Sequence, residues 1–561
     1  MISIKKYSFY ISAFLIISSS ILILPACKKF LDVNQNLNDP TKVSEATLLT
    51  AAQRRIAGQF ALGSTLGNGL GVYTHQLMEY GSDNRYGMDG GAVDGPWSSL
   101  YIAVTNLDVI IDQAVATNQT TYSGIAKILK AYTLSMMVDI WGDIPFSEFD
   151  KFQEGITQPK FDKGSEIYPQ LLTMLDDGIT DLGKVDGGIK PSGDDIVYGG
   201  NANKWIKAAN TIKLKLYTQV RLVQDVSSEV KALLSNPAML INSQSESFMF
   251  TFGTMGATDD RYPGYGDYNA AQRGGQLPSP WLWEIMNGIN PDLYFGVEDP
   301  RVPYYIYKQK LPGQTPENCP DYRDGGFISI IFGSNGPCVG GANSNSYSML
   351  GIYPVGGRYD DETGIPISAT ASTGDHAAIN AGTGAAPQRA LTYADRLYLE
   401  AELIHAGVAD GDERAVFKAA LDASFGQVDY VIQNYIKPVN QTVPSIVSLP
   451  ETDFYKTSVM NAFDANPDRQ LEYIMTQKWL SRLGNSIDNY TDYRRTGFPV
   501  MFSPAPVGTV TSVKTPEGVV VPVSNGTAYP LSLPFSTQEI EINKNAPKQK
   551  VPSTYKVFWE P

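Results

Sequence analysis

Two glycine-rich stretches of the chain carry aromatic and polar side chains in the combination that carbohydrate recognition requires. A sugar presents C–H faces and hydroxyl groups, so its site needs an exposed aromatic ring beside amide, carboxylate or guanidinium groups. We predict exposed rings of this kind in both stretches. The candidate ligand-binding residues are Tyr80, Asp83, Asn84, Arg85 and Tyr86 in the first stretch, and Tyr262, Tyr265, Tyr268, Asn269, Trp281 and Trp283 in the second.

Acidic doublets in the loops could support a different chemistry. Asp259–Asp260 and Asp360–Asp361–Glu362 could supply the carboxylate pair of a glycoside hydrolase, or oxygen ligands for Ca²⁺. Long loops often contain such doublets, and the ordered spacing of an EF-hand is absent. We favour solvated turn residues, and we predict neither a metal nor a cofactor.

Other catalytic patterns are missing from the sequence. His75, His376 and His405 stand far apart, so no metal-binding H-E-x-x-H helix is present. The chain also lacks a GxSxG elbow, a phosphate-binding loop and paired CxxC motifs. We predict no catalytic residues, and a glycoside hydrolase carried by the loops remains the enzymatic alternative.

Two arginines near the end of the helical region have two interpretations. In Asp492-Tyr493-Arg494-Arg495 an arginine fork could bind an anionic ligand. The alternative is an internal ion pair with Glu400 or Glu402, and we favour that one. Trp97 opens an apolar helical stripe, so we expect it in the core rather than on a ligand platform.

The overall charge argues against nucleic acid as a partner. The formal net charge of the 561 residues is −14, and a phosphate-binding surface requires a basic footprint instead.

The N-terminal segment has the features of a lipoprotein signal peptide, which we place at residues 1–26. Lys5 and Lys6 precede an almost continuous apolar run, and Leu24-Pro25-Ala26-Cys27 follows it. Such a run is shorter than a membrane-spanning helix requires. We predict that the mature chain begins at an acylated Cys27 and continues as a flexible tether to residue 42. The alternative is ordinary cleavage that leaves a free thiol.

The other two cysteines lie in one Gly/Pro-rich region. Cys319 and Cys338 form an even pair in an exported chain, which suggests a disulfide bond. Two separate thiols are the alternative.

Apolar residues at helical spacing predict paired helices. A stripe over residues 125–140 follows a matching one over residues 97–111, with a polar break at 118–124. Two such helices form an αα-hairpin, the unit of helical repeat proteins. We predict a single mainly α domain over residues 43–561. Its helical scaffold covers about 43–237 and 386–496, its loop-rich ligand region about 238–385, and its irregular tail 497–561.

Seven strings in order along the chain resemble the SusD/RagB family of nutrient-binding outer-membrane lipoproteins. They are CKKFLDVN with NDPT, WSSLYIAVTNLD, YSGIAKILKAY with VDIWGDIPFSE, KWIKAANTIKLKLY, DPRVPYY, YADRLYLEAE and TQKWLSRLGNSIDNYTDYRRTGFP.

The resemblance implies a fold, a location and a partner. The expected fold is a tetratricopeptide-like helical-hairpin scaffold with irregular loops and short strands on one side. The expected role is to bind an oligosaccharide or peptide nutrient at the cell surface. There the protein would be lipid-anchored in the outer membrane and act as the lid of a SusC-like TonB-dependent transporter. A helical-repeat structural or adhesion protein is the further alternative.

Overall fold

Helices dominate the structure. The computed structural model describes residues 43–79, 86–255, 258–270, 274–294, 296–336, 343–367, 382–501, 508–524 and 526–561. Within these residues, long helices alternate with loops, and each sheet has only two strands. The predicted mainly α class is therefore confirmed.

The helices fall into three groups along the chain. The first group is α1 (Glu45–Phe60), α2 (Thr65–Tyr73), α3 (Asp94–Thr117), α4 (Thr120–Trp141), α5 (Gly164–Leu182), α6 (Ala202–Val220) and α7 (Ser227–Leu234). Four short helices follow, namely α8 (Gly266–Asn269), α9 (Pro280–Met286), α10 (Val302–Tyr305) and α11 (Ile352–Val355). The last group is α12 (Tyr393–His405), α13 (Glu413–Val431), α14 (Pro450–Ala465), α15 (Gln470–Ser481), α16 (Ser486–Thr496) and α17 (Thr537–Ile542).

The strands form antiparallel pairs, most of them two or three residues long. The pairs are β1 (Leu77–Met78) with β5 (Leu277–Pro278), β2 (Ile144–Pro145) with β3 (Phe161–Asp162), β4 (Phe248–Phe250) with β10 (Gln388–Leu391), β6 (Ile306–Tyr307) with β9 (Met349–Leu350), β7 (Tyr322–Asp324) with β8 (Phe327–Ser329), and β11 (Val510–Lys514) with β12 (Val520–Ser524). Two of these pairs, β1 with β5 and β4 with β10, join a segment of the loop-rich region to a segment beside the helices, so they hold the loop region against the helices.

The predicted hairpin of α3 and α4 is present, but its turn is shorter than the polar break suggested. Asn118 has φ +55° and ψ +37°, a left-handed conformation that asparagine tolerates better than most residues. The chain therefore reverses within two residues, and α4 begins at Thr120 instead of after residue 124. Every residue of α4 from Thr121 to Trp141 is buried except Lys127.

Helix α4 lies at the centre of the stack. It packs against α3 and α5, and α5 packs against α6, which in turn contacts α12. Helix α12 forms a second hairpin with α13 and also packs on α15, while α16 returns to α2 and α4. Helix α3 is long and apolar enough to cross a membrane by length and composition alone. Its buried side chains, including Leu100, Val104 and Leu107, belong to the packed interior beside α1 and α4.

Charged side chains are buried where α4, α6, α12, α15 and α16 meet. Lys215 Nζ lies 3.0 Å from Asp488 Oδ1 and 3.6 Å from Asp139 Oδ2. Arg495 pairs with Glu402, which lies 3.2 Å from Lys478 Nζ. These ions balance one another inside the stack, as buried charges must. The favoured interpretation, an internal ion pair with Glu400 or Glu402, is thus confirmed for Glu402, whereas Glu400 pairs with Arg396.

The C-terminal residues of the tail pack against the helical stack. Trp559 is fully buried, and Arg494 Nη1 lies 2.7 Å from Glu560 Oε1, with both side chains almost inaccessible. The Arg494 guanidinium also lies over the Trp559 ring, 4.6 Å from its centroid. Arg494 therefore holds the end of the chain and is not available to an anionic ligand.

Candidate functional site

A pocket of about 260 Å³ opens between the second predicted stretch and the C-terminal β-hairpin. Its wall combines an indole, apolar side chains and a few polar groups. The lining residues are His75, Met78, Pro280, Trp281, Glu284, Asn290, Pro291, Asp292, Tyr322, Ile331, Phe332, Val513 and Lys514. We call it the Trp281 pocket.

The position of Trp281 follows from the start of α9. Ser279 caps this helix, because its Oγ accepts a hydrogen bond of 2.9 Å from the Leu282 N–H, and Pro280 suits the first helical turn. The Ser279 hydroxyl also donates to the carbonyl oxygen of His75. Pairing of β1 with β5 brings these segments together. Trp281 is half-buried, so part of its ring faces the pocket.

His75 forms the buried back wall together with Phe332. Their ring centroids are 4.7 Å apart, and His75 Nε2 lies 2.7 Å from the Tyr86 hydroxyl. Burial lowers the pKa of His75 to about 3. At neutral pH this imidazole is therefore uncharged, and it contributes an apolar and hydrogen-bonding surface.

Glu284 supplies a carboxylate to the pocket. It lies one turn after Trp281 on α9, and its Oε1 accepts a hydrogen bond of 2.9 Å from the Tyr322 hydroxyl. Burial raises the pKa of Glu284, and the nearby Asp324 raises it further. Neither Glu284 nor His75 was among the ligand-binding residues predicted from the sequence. For Glu284, the available signal in the sequence was its i, i+3 spacing from Trp281 on the same predicted helix.

Most of the first predicted stretch lies outside the described residues. This applies to Tyr80, Asp83, Asn84 and Arg85, which remain predictions. Met78, which lines the Trp281 pocket, lies shortly before them in the sequence. Glu79 and Gly87, which flank them, line a second, more polar pocket of about 520 Å³.

Tyr86, the last residue of the first stretch, is described and is not exposed. Only 7% of its surface is accessible. Its ring packs on Phe332 and on Tyr529, with centroid distances of 4.6 and 5.0 Å. Tyr86 supports the pocket wall through His75, which corrects the expectation of an exposed ring.

The tyrosines of the second stretch pack the loop region. Tyr265 and Tyr268 stack on each other with centroids 5.1 Å apart and nearly parallel planes, and both are at most 2% exposed. Their hydroxyls donate to the carbonyl oxygens of Gly382 and Leu350 over 3.1 and 2.9 Å. Tyr262 is equally buried. Because buried ring faces cannot meet a sugar, the expectation of an exposed tyrosine platform is corrected.

Trp283 and Asn269 also have internal partners. Trp283 stacks on Phe327 at 4.5 Å, and its Nε1 donates to Asp324 Oδ2 over 2.7 Å. Asn269 is half-buried, and its Oδ1 lies 3.4 Å from Arg261 Nη1. Among the predicted ligand-binding rings that the structure describes, Trp281 is the one that is not buried, and it lines the Trp281 pocket.

The acidic doublets take part in local structure. Asp259 pairs with Arg261 at 2.6 Å, and Asp360 is buried with Lys308 Nζ at 3.6 Å. Asp361 pairs with Arg358 at 2.9 Å. Groups of acidic, histidine or cysteine side chains suited to a metal ion do not occur among the residues that the structure describes.

The structure describes only one of the three cysteines for which a modification was predicted. Cys319 is disulfide-bonded, whereas Cys338 lies outside the described residues, so their pairing stays a prediction. Cys27 and the signal peptide also lie outside them.

Comparison with known proteins places the fold among solved structures. A family model described as "Starch-binding associating with outer membrane" matches residues 37–325 and 342–522. A chitin-binding protein is 19% identical, with a TM-score of 0.65, over 92% of this chain and 100% of its own. A SusD/RagB family protein from Bacteroides thetaiotaomicron VPI-5482 is 19% identical, with a TM-score of 0.63, over 92% of this chain and 99% of its own.

A SusD homolog from Parabacteroides distasonis ATCC 8503 is 18% identical, with a TM-score of 0.66, over 92% of this chain and 98% of its own. At these identities the structures establish likeness of fold. Curated proteins give no significant match.

Proposed function

The chain belongs to the SusD-like family, described as starch-binding and associating with the outer membrane, and from this premise we propose that it captures a glycan at the cell surface. The family assignment confirms the resemblance drawn from the sequence. In the proposed role the protein is a lipid-anchored lid that delivers its ligand to a SusC-like TonB-dependent transporter.

The observation that carries the proposal is the Trp281 pocket. Its half-buried indole contributes apolar surface to the pocket, and Glu284, Tyr322 and Asn290 stand around it as hydrogen-bonding groups. A ring face beside polar groups is what a sugar requires. A site of this kind gains about 1–2 kcal/mol for each sugar through apolar burial, so binding is weak enough for later release.

Binding fits the site better than catalysis does. Asp259 and Asp361 pair with neighbouring arginines, which leaves them poorly suited to act as a general acid, and Asp360 is buried with its carboxylate 3.6 Å from Lys308 Nζ. Incubation of the purified protein with oligosaccharides tests this point, because released shorter products would favour the hydrolase alternative.

Membrane attachment is proposed through Cys27. An acylated cysteine followed by a tether to residue 42 would hold the domain at the membrane while it moves over a transporter. Metabolic labelling with a fatty acid tests this step. We expect label on the wild-type protein and none on the Cys27→Ser variant, and an unlabelled wild-type protein would contradict the proposal.

The binding experiment uses protein that begins after Cys27, offered glycan and peptide panels. We expect glycan binding that Trp281→Ala weakens at least tenfold and Trp281→Phe largely retains, because phenylalanine keeps an apolar face. Phe152→Ala is the matched control, since Phe152 is 68% exposed and lies outside the pocket. Binding of peptides only, or glycan binding unaffected by Trp281→Ala, would contradict the proposed site.

The partner is tested separately by affinity capture from solubilised outer membranes. The proposed lid role predicts co-purification of one large barrel transporter in stoichiometric amount. A protein that mediates glycan uptake in cells lacking that transporter would refute the lid role.

A further inference from the structure

More acidic than basic side chains line the Trp281 pocket. Glu284 and Asp292 contribute two carboxylates, and Lys514 contributes one ammonium group. Glu284 is half-buried on the helix that carries Trp281, whereas Asp292 and Lys514 are exposed at the rim. His75 adds no charge at neutral pH, because burial lowers its pKa to about 3. The deepest ionisable group that can carry a charge is therefore an acid.

Among the residues that the structure describes, Glu284 has a hydrogen-bond donor but no basic partner. The Tyr322 hydroxyl donates to its Oε1 over 2.9 Å, and no ion pair between described residues includes Glu284. The nearest acid, Asp324, makes the charge harder to hold, since both burial and Asp324 raise the pKa of Glu284. The ammonium group of Lys308 lies over the Trp283 ring, but its Nζ is 3.6 Å from Asp360 Oδ2, so Lys308 pairs with Asp360 rather than with Glu284. A cation on a ligand would thus supply what Glu284 lacks.

We propose that the Trp281 pocket selects saccharides that carry a protonated primary amine, such as glucosamine units, over neutral and N-acetylated sugars. The inference rests on the proposed glycan-binding function and names the class of ligand. An ammonium group placed beside Glu284 forms a charge-assisted hydrogen bond, and the neighbouring indole face attracts the same cation. N-acetylation removes both interactions, because an amide carries no charge.

The size of the pocket fits one sugar unit of a longer chain. Its volume of about 260 Å³ lies below the ~300–1,000 Å³ of sites that enclose drug-sized ligands. The remaining sugars would extend along the surface. Lys514 opposes a cationic ligand, but its ammonium group is exposed and hydrated, so its repulsion is screened more than the attraction of the half-buried Glu284.

The test is calorimetric titration with three tetrasaccharides of matched linkage: a fully deacetylated glucosamine tetramer, its N-acetylated form and the neutral glucose tetramer. We expect the amine form to bind at least tenfold more tightly than either of the others. Glu284→Gln should reduce this preference to less than threefold, with most of the loss in the affinity for the amine form. Lys514→Gln should strengthen binding of the amine form.

A charge-matched control is needed because the chain is acidic and attracts cations in general. Glu298→Gln removes one negative charge at an exposed position outside the pocket, and we expect it to keep the full preference. Urea unfolding of each variant checks that the fold is intact.

The outcomes separate the two proposals. Equal affinity for the three tetramers, all lost in Trp281→Ala, would overturn amine selection and leave glycan capture standing. A preference that survives Glu284→Gln, or one that Glu298→Gln reduces equally, would also overturn amine selection. No binding of any saccharide would overturn glycan capture and the inference that rests on it.

Discussion

The indole nitrogen of Trp559 donates a hydrogen bond of 3.0 Å to Asp139 Oδ1, so the third-last residue of the chain contacts the last turn of the central helix. Tyr168 donates to the same oxygen, and Lys215 Nζ lies 3.6 Å from the other carboxylate oxygen. The carboxylate of Asp139 is therefore a junction for α4, α5, α6 and the tail. Four separate parts of the sequence depend on it.

Trp559→Ala should strongly destabilise the protein. The change leaves a cavity beside α4 and removes one of the hydrogen bonds to Asp139, and truncation of a buried tryptophan costs about 3–5 kcal/mol. Urea unfolding followed by circular dichroism measures the loss. Val551→Ala, at a tail residue that is 61% exposed, is the control and should change the unfolding midpoint little. A loss below about 1 kcal/mol for Trp559→Ala would contradict the structural role of the tail.

Glu402→Gln should be equally damaging for a different reason. Glu402 is fully buried and pairs with Arg495, Arg221 and Lys478. Loss of its charge leaves buried cations uncompensated, which costs about 3–5 kcal/mol. The exposed pair of Arg414 and Asp464 provides the comparison, and Asp464→Asn should leave the urea midpoint unchanged. Similar effects of the two substitutions would contradict the inference that the buried cluster is tightly coupled.

Acid should destabilise the protein through His75. The folded protein keeps His75 neutral down to a pKa of about 3, whereas the unfolded chain binds a proton below about pH 6.5. Between these values the unfolded state binds more protons, so stability falls as the pH falls. From pH 7 to pH 4 this group alone should remove roughly 3 kcal/mol.

His75→Gln isolates that contribution. Glutamine can still reach the Tyr86 hydroxyl and does not titrate, so the variant should show a flatter pH profile even if it is less stable at pH 7. Urea midpoints at several pH values measure both slopes. Parallel profiles of the variant and the wild type would show that other groups account for the acid sensitivity.

The disulfide of Cys319 should involve Cys338. Peptide mapping without reduction should recover the two cysteines in one linked fragment, and reduction should separate them. Closing a loop of this length stabilises the folded state by about 3 kcal/mol, so reduction should lower the thermal midpoint. Recovery of a Cys319 adduct with any other partner would refute this pairing.

The helical scaffold could be predicted because its signals are local. The buried positions of α3 and α4 recur at helical spacing, so their pairing follows from the sequence alone. From the sequence alone, residues 415–423 and 428–436 indicate two separate helices. The structure has one helix there, α13, which continues into a π-helix at Ile432–Ile436. The polar and small residues between the two stretches are buried in α13, for example Ser424 and Gln427, so composition gave a false break.

Helix α14 is hard to recognise from the sequence, although it has a proline and acidic residues in its first turn. Its buried side chains are few, namely Thr452, Tyr455, Val459, Met460 and Phe463. So few apolar positions can be recognised as the buried face of a helix only once their packing against α13 and α15 is known.

The candidate site was the hardest part to predict, because exposure of an aromatic ring depends on distant residues. Tyr268 is buried, and its hydroxyl donates a hydrogen bond to the carbonyl oxygen of Leu350, 82 positions later. Trp281 and Trp283 are two residues apart, yet one lines a pocket and the other stacks beneath Phe327. The sequence contains no local signal that separates these cases. His75 reaches the site only through the pairing of β1 with β5, about 200 residues apart.

The burial of Trp559 also bears on when the chain can fold. A nascent protein that has not yet emerged past its last residues lacks the side chain that fills the space beside α4, so its interior is incomplete until synthesis ends.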